Sequence, residues 1–183
     1  FNKNKNQEIL KYSLLCNIFT ISKNITGNPL DEAIYYFAKK NHLTKLTSGY
    51  KIIDSLSFDF IRRRMSVIVE KKSQRLLICK GAVEETLKIC RQVRLDNKVL
   101  SLEKHLPKIE QDLAGLQEKG FKVLLVGLKE IETKNKYDPK DENNLTLIGY
   151  LVFSDPIKRT AKSSLPLLQD LGVDIKILTG DTE

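Results

Sequence analysis

The chain has 183 residues, of which 41% are hydrophobic and 30% are charged, and it carries a formal net charge of +8. This length and composition are typical of a globular protein with a buried core, and the longest apolar run, residues 145–153, is too short to span a bilayer. The positive charge favours an anionic partner, such as a nucleotide, a nucleic acid or a lipid surface. Because the lysines are spread along the chain, we expect a solvated surface rather than a nucleic-acid face.

Cysteine and histidine usage predicts no metal site. The cysteines, Cys16, Cys79 and Cys90, are odd in number and form no C-x-x-C pair, which predicts buried thiols in a reducing compartment. His42 and His105 lie far apart without companion ligands, so we expect no zinc or other metal ligands. No signal peptide is visible, and we expect a cytosolic protein.

The beginning of the chain predicts two amphipathic helices. Residues 8–19 and 30–41 repeat apolar side chains at helical spacing, and the glycine and proline of residues 24–29 predict the turn between them. The side chains expected to face inward are Leu10, Leu14, Leu15 and Ile18 in the first helix, and Ala33, Ile34, Phe37 and Ala38 in the second.

Strands dominate the middle of the chain. Strand-like runs cover residues 50–58, 65–70 and 76–80. The polar turn 71–74 predicts that the second and third of these runs form an antiparallel hairpin. Further along, we expect helices over residues 82–93 and 102–119 and strands over residues 121–128 and 145–153. The charged, asparagine-rich segment 129–144 predicts a mobile loop.

The end of the chain predicts a different arrangement. After the strand that ends at Phe153, we expect a helix over residues 160–171 and a buried strand over residues 173–178, which together make one β-α-β unit. The sequence therefore predicts an α+β domain, residues 1–153, whose mainly antiparallel sheet is flanked by helices. Residues 154–183 are expected to be a β-α-β piece of a second, α/β domain.

A lysine and a glycine at the end of the third strand are the first candidate binding residues. If the strand ends at Lys80-Gly81 and turns into a helix, backbone N–H groups and the positive helix end face an anion. Gly81 lacks a Cβ, so a ligand can approach the backbone, and Lys80 can contact a phosphate or a purine edge. The alternative is a tight turn with a solvated lysine.

A nearby segment combines aromatic rings with the basic triplet Arg62-Arg63-Arg64. Phe58 is placed to stack on a base, and the arginines can donate to phosphate oxygens. Alternate residues of an extended segment point to opposite faces, so not all three arginines can reach one ligand. The alternative places Phe58 and Phe60 in the core and the arginines on the surface.

Three further positions are candidates, and the first two of them also have a purely structural interpretation. Asp31, at a helix start, is either an acceptor for an adenine amino group or only an N-cap. Lys122 either reaches a phosphate from a strand edge or simply points outward. Thr179-Gly180-Asp181 follows a predicted buried strand, and α/β sheets bind ligands at that edge.

Taken in order, these motifs resemble one family over essentially the whole chain. The segments are Gly27-Asn28-Pro29-Leu30-Asp31, Phe58 to Val67, Ile78 to Glu85, Gly120-Phe121-Lys122, Asp155-Pro156 and Thr179-Gly180-Asp181. This order resembles the cation-transporting P-type ATPases, and the second and third segments look most like the bacterial magnesium-importing branch. Calcium pumps share the pattern with less agreement.

The resemblance implies a domain organisation and a site. Residues 1–153 would be the nucleotide-binding domain, and residues 154–183 would be a returning part of the haloacid-dehalogenase-like phosphorylation domain, with a hinge at Asp155-Pro156. The implied contacts to MgATP are Phe58 stacked on adenine, Asp31 accepting from its edge, Lys80 and Gly81 at the pocket floor, and Arg63 and Lys122 on the phosphates. The implied catalytic residues, around the aspartyl phosphate, are Thr179, Gly180 and Asp181.

In that family the parent protein couples ATP hydrolysis to ion transport. The D-K-T-G-T segment with the phosphorylated aspartate and the later G-D-G-x-N-D segment are absent here, so we expect the chain to bind ATP without turning it over. The Asp155-Pro156-Ile157-Lys158 segment and Thr182 also depart from the family pattern. The implied partners are ATP and the remaining phosphorylation, actuator and transmembrane domains of a bacterial inner-membrane protein, with no nucleic acid.

Other functions stay open at this point. The same motifs fit a calcium-type pump, and ion selectivity would lie in membrane residues outside this chain. A basic nucleic-acid-binding module using residues 62–64 would bind oligonucleotides with a strong salt dependence. A phosphatase of the dehalogenase-like superfamily would need a nucleophilic aspartate in a D-x-D-x-T segment, and the sequence contains none.

Overall fold

The computed structural model describes residues 3–17, 28–96, 98–154 and 159–176. Within them the chain forms seven β-strands, five α-helices and two short 3-10 turns. None of these helices is both long and apolar enough to cross a membrane. The chain divides into two compact units, residues 1–153 and 154–183.

The elements do not alternate strictly between strand and helix. The helices are α1 (Lys3–Leu15), α2 (Pro29–Lys40), α3 (Val83–Ile89), α4 (Leu106–Gln117) and α5 (Arg159–Asp170). The strands are β1 (Lys51–Asp59), β2 (Arg64–Lys71), β3 (Gln74–Ala82), β4 (Cys90–Leu95), β5 (Lys98–Ser101), β6 (Lys122–Glu130) and β7 (Leu145–Phe153). The 3-10 turns cover Thr44–Thr47 and Pro139–Asp141.

The seven strands of the described residues form one sheet, in the order β1-β2-β3-β6-β7-β4-β5. Neighbouring strands are antiparallel except β4 and β7, which are parallel. The predicted hairpin is confirmed: Lys71 faces Gln74, and the intervening Lys72 and Ser73 have left-handed φ angles of 49° and 63°, as a type I′ turn requires. The predicted α+β fold with a mainly antiparallel sheet is therefore confirmed.

Helices cover both faces of the sheet, and a hydrophobic core lies under each layer. On one side, called here the α3/α4 face, Leu113 of α4 is buried in a cluster with Leu125. On the other, the α1/α2 face, Leu15 of α1 is buried with Ile78, and α2 packs beside α1 through Ile34. Burying a side chain of this kind contributes about 1.5–3 kcal/mol. The sheet is thus a platform held from both sides.

The helix predicted over residues 82–93 is wrong in extent. It ends at Ile89, and β4 follows directly. Cys90 lies opposite Leu145 of β7 in the parallel pair, so a partner distant in sequence decides the local structure. The apolar spacing of this short segment fits a helix or a strand equally well. Strands β4 and β5 are therefore missing from the sequence prediction.

The inward face of α2 is narrower than predicted. Ile34 and Ala38 are buried as expected, but Ala33 is exposed and Phe37 is 57% exposed. The buried positions of this helix, completed by Asp31, form a single stripe at spacings of three and four residues. Ala33 and Phe37 lie just outside that stripe.

The segment between β6 and β7, predicted as a mobile loop, is anchored to the rest of the unit. Tyr137 and Glu142 are each only 3% exposed. The 3-10 turn between them is closed by two reciprocal hydrogen bonds, from the Lys140 N–H to the Asp138 carboxylate at 2.7 Å and from the Asp138 N–H to the Asp141 carboxylate at 3.1 Å. These contacts give a polar segment a fixed path.

The second unit contains α5, which has Pro166 inside it. Residues 173–176 form no strand and none of them is buried, so the buried strand predicted over residues 173–178 is wrong for these four residues, and the rest of it lies outside the described residues. The strand expected to open that unit, β7, is antiparallel to β6 in the main sheet. The predicted hinge at Asp155-Pro156 lies outside the described residues.

Candidate functional site

A cavity of about 230 Å³ lies at the start of α2, beside β1, β2 and β3. Met65 and Lys80 open onto it from the α1/α2 face of the sheet, because they alternate along their strands with Ser66 and Cys79 of the opposite face. The residues that line it are Asn28, Asp31, Ser55, Leu56, Ser57, Phe58, Arg63, Met65, Lys80, Gly81 and Leu124. The set includes five of the residues selected from the sequence.

A buried ion pair forms the polar wall of the cavity. Lys80 Nζ donates to Asp31 Oδ1, and both residues are 3% exposed. The N-cap of α2 is Asn28, whose side chain accepts from the Leu30 N–H at 2.9 Å, so the N-cap interpretation of Asp31 is wrong. The alternative of a solvated Lys80 is wrong as well. The two side chains present to the cavity a hydrogen-bonded ion pair with no net charge.

Lys80 and Gly81 lie within β3, which was expected to end at them and instead continues to Ala82. Gly81 pairs with Arg64 on one side and Leu125 on the other, and α3 begins two residues later. The predicted cradle of free N–H groups is therefore wrong, because a strand paired on both sides commits these groups to the sheet. A Cβ on Gly81 would lie 2.3 Å from Arg64 Cβ and 2.8 Å from the Arg63 carbonyl oxygen. The glycine admits the neighbouring strand to close contact.

The turn between β1 and β2 presents Arg63 at the cavity. The Asp59 carboxylate accepts from the Arg62 N–H at 2.8 Å and the Ile61 N–H at 2.7 Å, and these bonds hold the pKa of Asp59 below its ordinary value. Arg63 has a left-handed φ of 47°. Its side chain is exposed, and its guanidinium forms no hydrogen bond or ion pair with a described residue. It is the member of the triplet available to an anion.

The aromatic residues of the turn are at the surface. Phe58 is 48% exposed at the rim of the cavity, and its ring centroid lies 5.3 Å from that of Phe60 in an edge-on arrangement. Phe60 is 89% exposed, so the interpretation of Phe60 as a core residue is wrong. A half-exposed ring beside an apolar cavity can accept a flat ligand on its free face.

Lys122 lies outside the cavity, at the exposed start of β6. It points to the same face as Leu124, which lines the cavity and is about 7 Å further along the strand. An extended ligand leaving the cavity in that direction would pass it. Thr179, Gly180 and Asp181 lie outside the described residues.

A larger cavity, of about 700 Å³, lies between α3 and α4 on the opposite face. Its walls include Leu87, Leu106 and the side chains of Glu84 and Arg91. None of the residues implied to contact MgATP lines it. The smaller cavity is therefore the candidate site, because the candidate binding residues line it and not the larger one.

Sequence reasoning missed one buried charged residue next to the site. Glu142 comes from the segment predicted as a mobile loop, and its side chain is 0% exposed between Arg62 and Arg64. The only available signal was a basic triplet with a single acidic residue, Asp59, close to it in the sequence. Nothing in the sequence distinguishes Glu142 from the several other acidic residues of its segment.

The thiols of the chain are buried, as predicted. Burial raises the pKa of Cys16 and of Cys90 to about 12, and it also raises the pKa of Cys79. Among the described residues, no group of histidine, cysteine, aspartate and glutamate side chains is arranged to hold a metal ion. The chemistry of the candidate site is therefore that of an apolar cavity with an ion pair and an exposed arginine.

Comparison with known proteins gives one consistent result. The family profile described as "P-type ATPase, cytoplasmic domain N" matches residues 5–160. The chain is 38% identical over 159 residues to the magnesium-transporting ATPase, P-type 1, of Escherichia coli K12, covering 85% of this chain and 18% of that protein. It is 29% identical over 187 residues to a probable cation-transporting P-type ATPase of Mycoplasma genitalium, covering 99% and 20%. It is 25% identical over 185 residues to a calcium-transporting ATPase of Bacillus subtilis, covering 96% and 21%.

The chain spans about a fifth of the length of these relatives. The profile nevertheless matches most of its residues, and the described fold is the α+β arrangement that the resemblance implied. The chain therefore belongs to the P-type ATPase family and is part of the cytoplasmic region that contains domain N.

Proposed function

We propose that this chain binds ATP, as MgATP, in the cavity beside α2, and that it serves a magnesium-transporting P-type ATPase. The observation that carries the proposal is the convergence of Asp31, Phe58, Arg63 and Lys80 on one cavity from three separate parts of the chain. Each of these residues has an ordinary structural explanation when taken alone. Their meeting at one apolar cavity supports nucleotide binding.

The dimensions and charges of the cavity support a specific pose. Its volume, about 230 Å³, is below the roughly 300–1,000 Å³ of pockets that enclose a whole ligand, so we infer that it takes the adenine base and leaves the phosphates outside. Phe58 stacks on the base, and the Asp31–Lys80 pair meets its polar edge. The triphosphate then extends past Arg63 towards Lys122, where two exposed cations offset its charge.

The roles of the remaining parts follow from the family. In the parent protein, ATP would phosphorylate an aspartate outside this chain, with Thr179, Gly180 and Asp181 acting near it in the phosphorylation domain. Residues 1–153 would be the nucleotide-binding domain, on the cytoplasmic side of a bacterial plasma membrane. Magnesium is proposed as the transported ion because the relatives that are 36–38% identical carry that name, whereas a calcium-transporting relative is 25% identical. The other domains of the pump are the proposed partners.

A titration with ATP tests the binding proposal. Amide chemical shifts in the NMR spectrum should move around Phe58, Lys80 and Gly81, and Phe58→Ala should weaken ATP binding at least about fivefold, since stacking on a base contributes roughly 1–3 kcal/mol. Phe37→Ala is the matched control, because Phe37 is 57% exposed and does not line the cavity. Shifts centred on the α3/α4 face, or equal losses in both variants, would contradict the proposed site.

A further inference from the structure

A buried carboxylate holds the turn that carries Arg63 from the opposite face of the sheet. Glu142 Oε1 accepts from Arg62 Nη1 at 2.7 Å and from Ser66 Oγ at 2.7 Å. Glu142 Oε2 accepts from Arg62 Nη1 at 2.8 Å and from Arg64 Nε at 2.8 Å. The Glu142 side chain is 0% exposed, so its charge is matched by these donors and not by solvent.

The two guanidinium groups on Glu142 belong to the residues on either side of Arg63. Arg62 also donates from Nη2 to the Ser57 carbonyl oxygen at 2.9 Å, and Ser57 lines the cavity. Arg64 begins β2. One carboxylate therefore holds the residues on both sides of Arg63 while making no contact with the cavity itself.

Arg63 depends on this support because its backbone is in an unfavourable region. Its φ of 47° is left-handed, and a non-glycine residue keeps such a conformation only when its surroundings fix it. Its carbonyl oxygen accepts from the Ala82 N–H at 2.9 Å, which joins the turn to the end of β3. Without Glu142, the positive charges of Arg62 and Arg64 would repel each other beside it.

We propose that Glu142 is a positioning residue for phosphate binding by Arg63. It neutralises Arg62 and Arg64 on the α3/α4 face, so that the middle arginine alone presents its charge at the cavity. The role rests on the proposed ATP function. It acts on the phosphates and leaves the base pocket unchanged, which makes it separable from a general effect on folding.

The test compares ATP with adenosine, which lacks phosphates, by NMR titration of the full chain. Glu142→Gln should weaken ATP binding about tenfold, the size of one weakened charge-assisted hydrogen bond, and leave adenosine binding unchanged. The direction of the change in ATP affinity distinguishes a positioning role of Glu142 from a long-range electrostatic effect. Removing a negative charge would strengthen the binding of a polyanion if only long-range electrostatics mattered. Glu132→Gln, in an exposed residue of the same segment, is the control and should change neither affinity.

A second variant keeps the test decisive if Glu142→Gln does not fold. Glu142→Asp retains the charge but is one methylene shorter, so it should fold and lose part of the ATP affinity only. Unchanged or tighter ATP binding in the folded variants, or equal losses for ATP and adenosine, would overturn the role of Glu142. A wild-type chain that binds neither ligand would instead overturn the proposed function.

Discussion

Gly81 shows how one atom decides the shape of the candidate site. The resemblance to the family predicts a glycine under the ligand, and its backbone does line the cavity. The missing Cβ, however, would point away from the cavity into Arg64, across the β2–β3 pair. The glycine therefore shapes the proposed site indirectly, by allowing the turn that carries Arg63 to lie against β3.

Gly81→Ala should consequently damage both stability and binding. The added Cβ would lie 2.3 Å from Arg64 Cβ, and relieving that overlap should lower the free energy of unfolding in urea by about 1–3 kcal/mol. Gly115→Ala is the matched control. Gly115 lies inside α4, and a Cβ added there would meet nothing within 4 Å, so alanine should stabilise the chain by about 0.5–1 kcal/mol. Equal effects of the two substitutions would contradict the packing argument.

The ion pair between Asp31 and Lys80 could not be predicted from the sequence. Both residues were binding candidates there, but as two independent groups. They are separated by 49 positions, and no periodicity or spacing connects them. Their pairing follows from the packing of α2 against the sheet, which only the folded structure brings about.

At the scale of elements, long and strongly patterned segments were predictable and short ones were not. The β2–β3 hairpin has alternating apolar residues and a polar turn, and its prediction is confirmed. The parallel pair of β4 and β7 joins segments that begin at Cys90 and Leu145, and no local signal encodes that contact. The anchoring of residues 131–144 escaped prediction for the same reason, because it depends on a few polar side chains that reach the sheet.

Tyr137 is one of these anchors, and its hydroxyl can be tested alone. The hydroxyl donates to the Glu132 carbonyl oxygen at 2.9 Å and accepts from Arg75 Nη1 at 3.0 Å and the Lys134 N–H at 3.2 Å. Tyr137→Phe keeps the buried ring, so we expect a loss of about 1 kcal/mol in the free energy of unfolding, in the range of one net hydrogen bond.

The same substitution should also speed hydrogen exchange of the Lys134 amide, measured by NMR. Tyr150→Phe is the control, because Tyr150 is 44% exposed and its hydroxyl forms no hydrogen bond with a described residue. A Tyr137→Phe chain with unchanged exchange at Lys134 would show that the segment is held by its other contacts.

At the scale of the whole molecule, the sheet couples two cores that lie on opposite faces. Cys16 belongs to the cluster under α1, whereas Cys79 and Cys90 belong to the cluster under α3 and α4. Residues of β3 contribute to both clusters, since Ile78 and Cys79 point to opposite faces. The cavity on one face and Glu142 on the other are joined through the same strands, so we expect one cooperative unfolding transition for this unit.

The buried thiols report that transition. Burial raises the pKa of Cys16 and Cys90 to about 12 from an ordinary value of 9.0, so the folded chain keeps these thiols protonated and unreactive at pH 8. Iodoacetamide should therefore modify all three cysteines at one slow rate, set by global unfolding, and mass spectrometry of the peptides would measure each rate. Urea-unfolded protein, in which all three react at once, is the control. Faster modification of Cys16 alone would mean that α1 opens separately from the sheet.

The same thiols make the free energy of unfolding depend on pH. Below pH 9 both the folded and the unfolded chain hold the thiol protons. Between pH 9 and 12 only the unfolded chain releases them, so the free energy of unfolding should fall as pH rises.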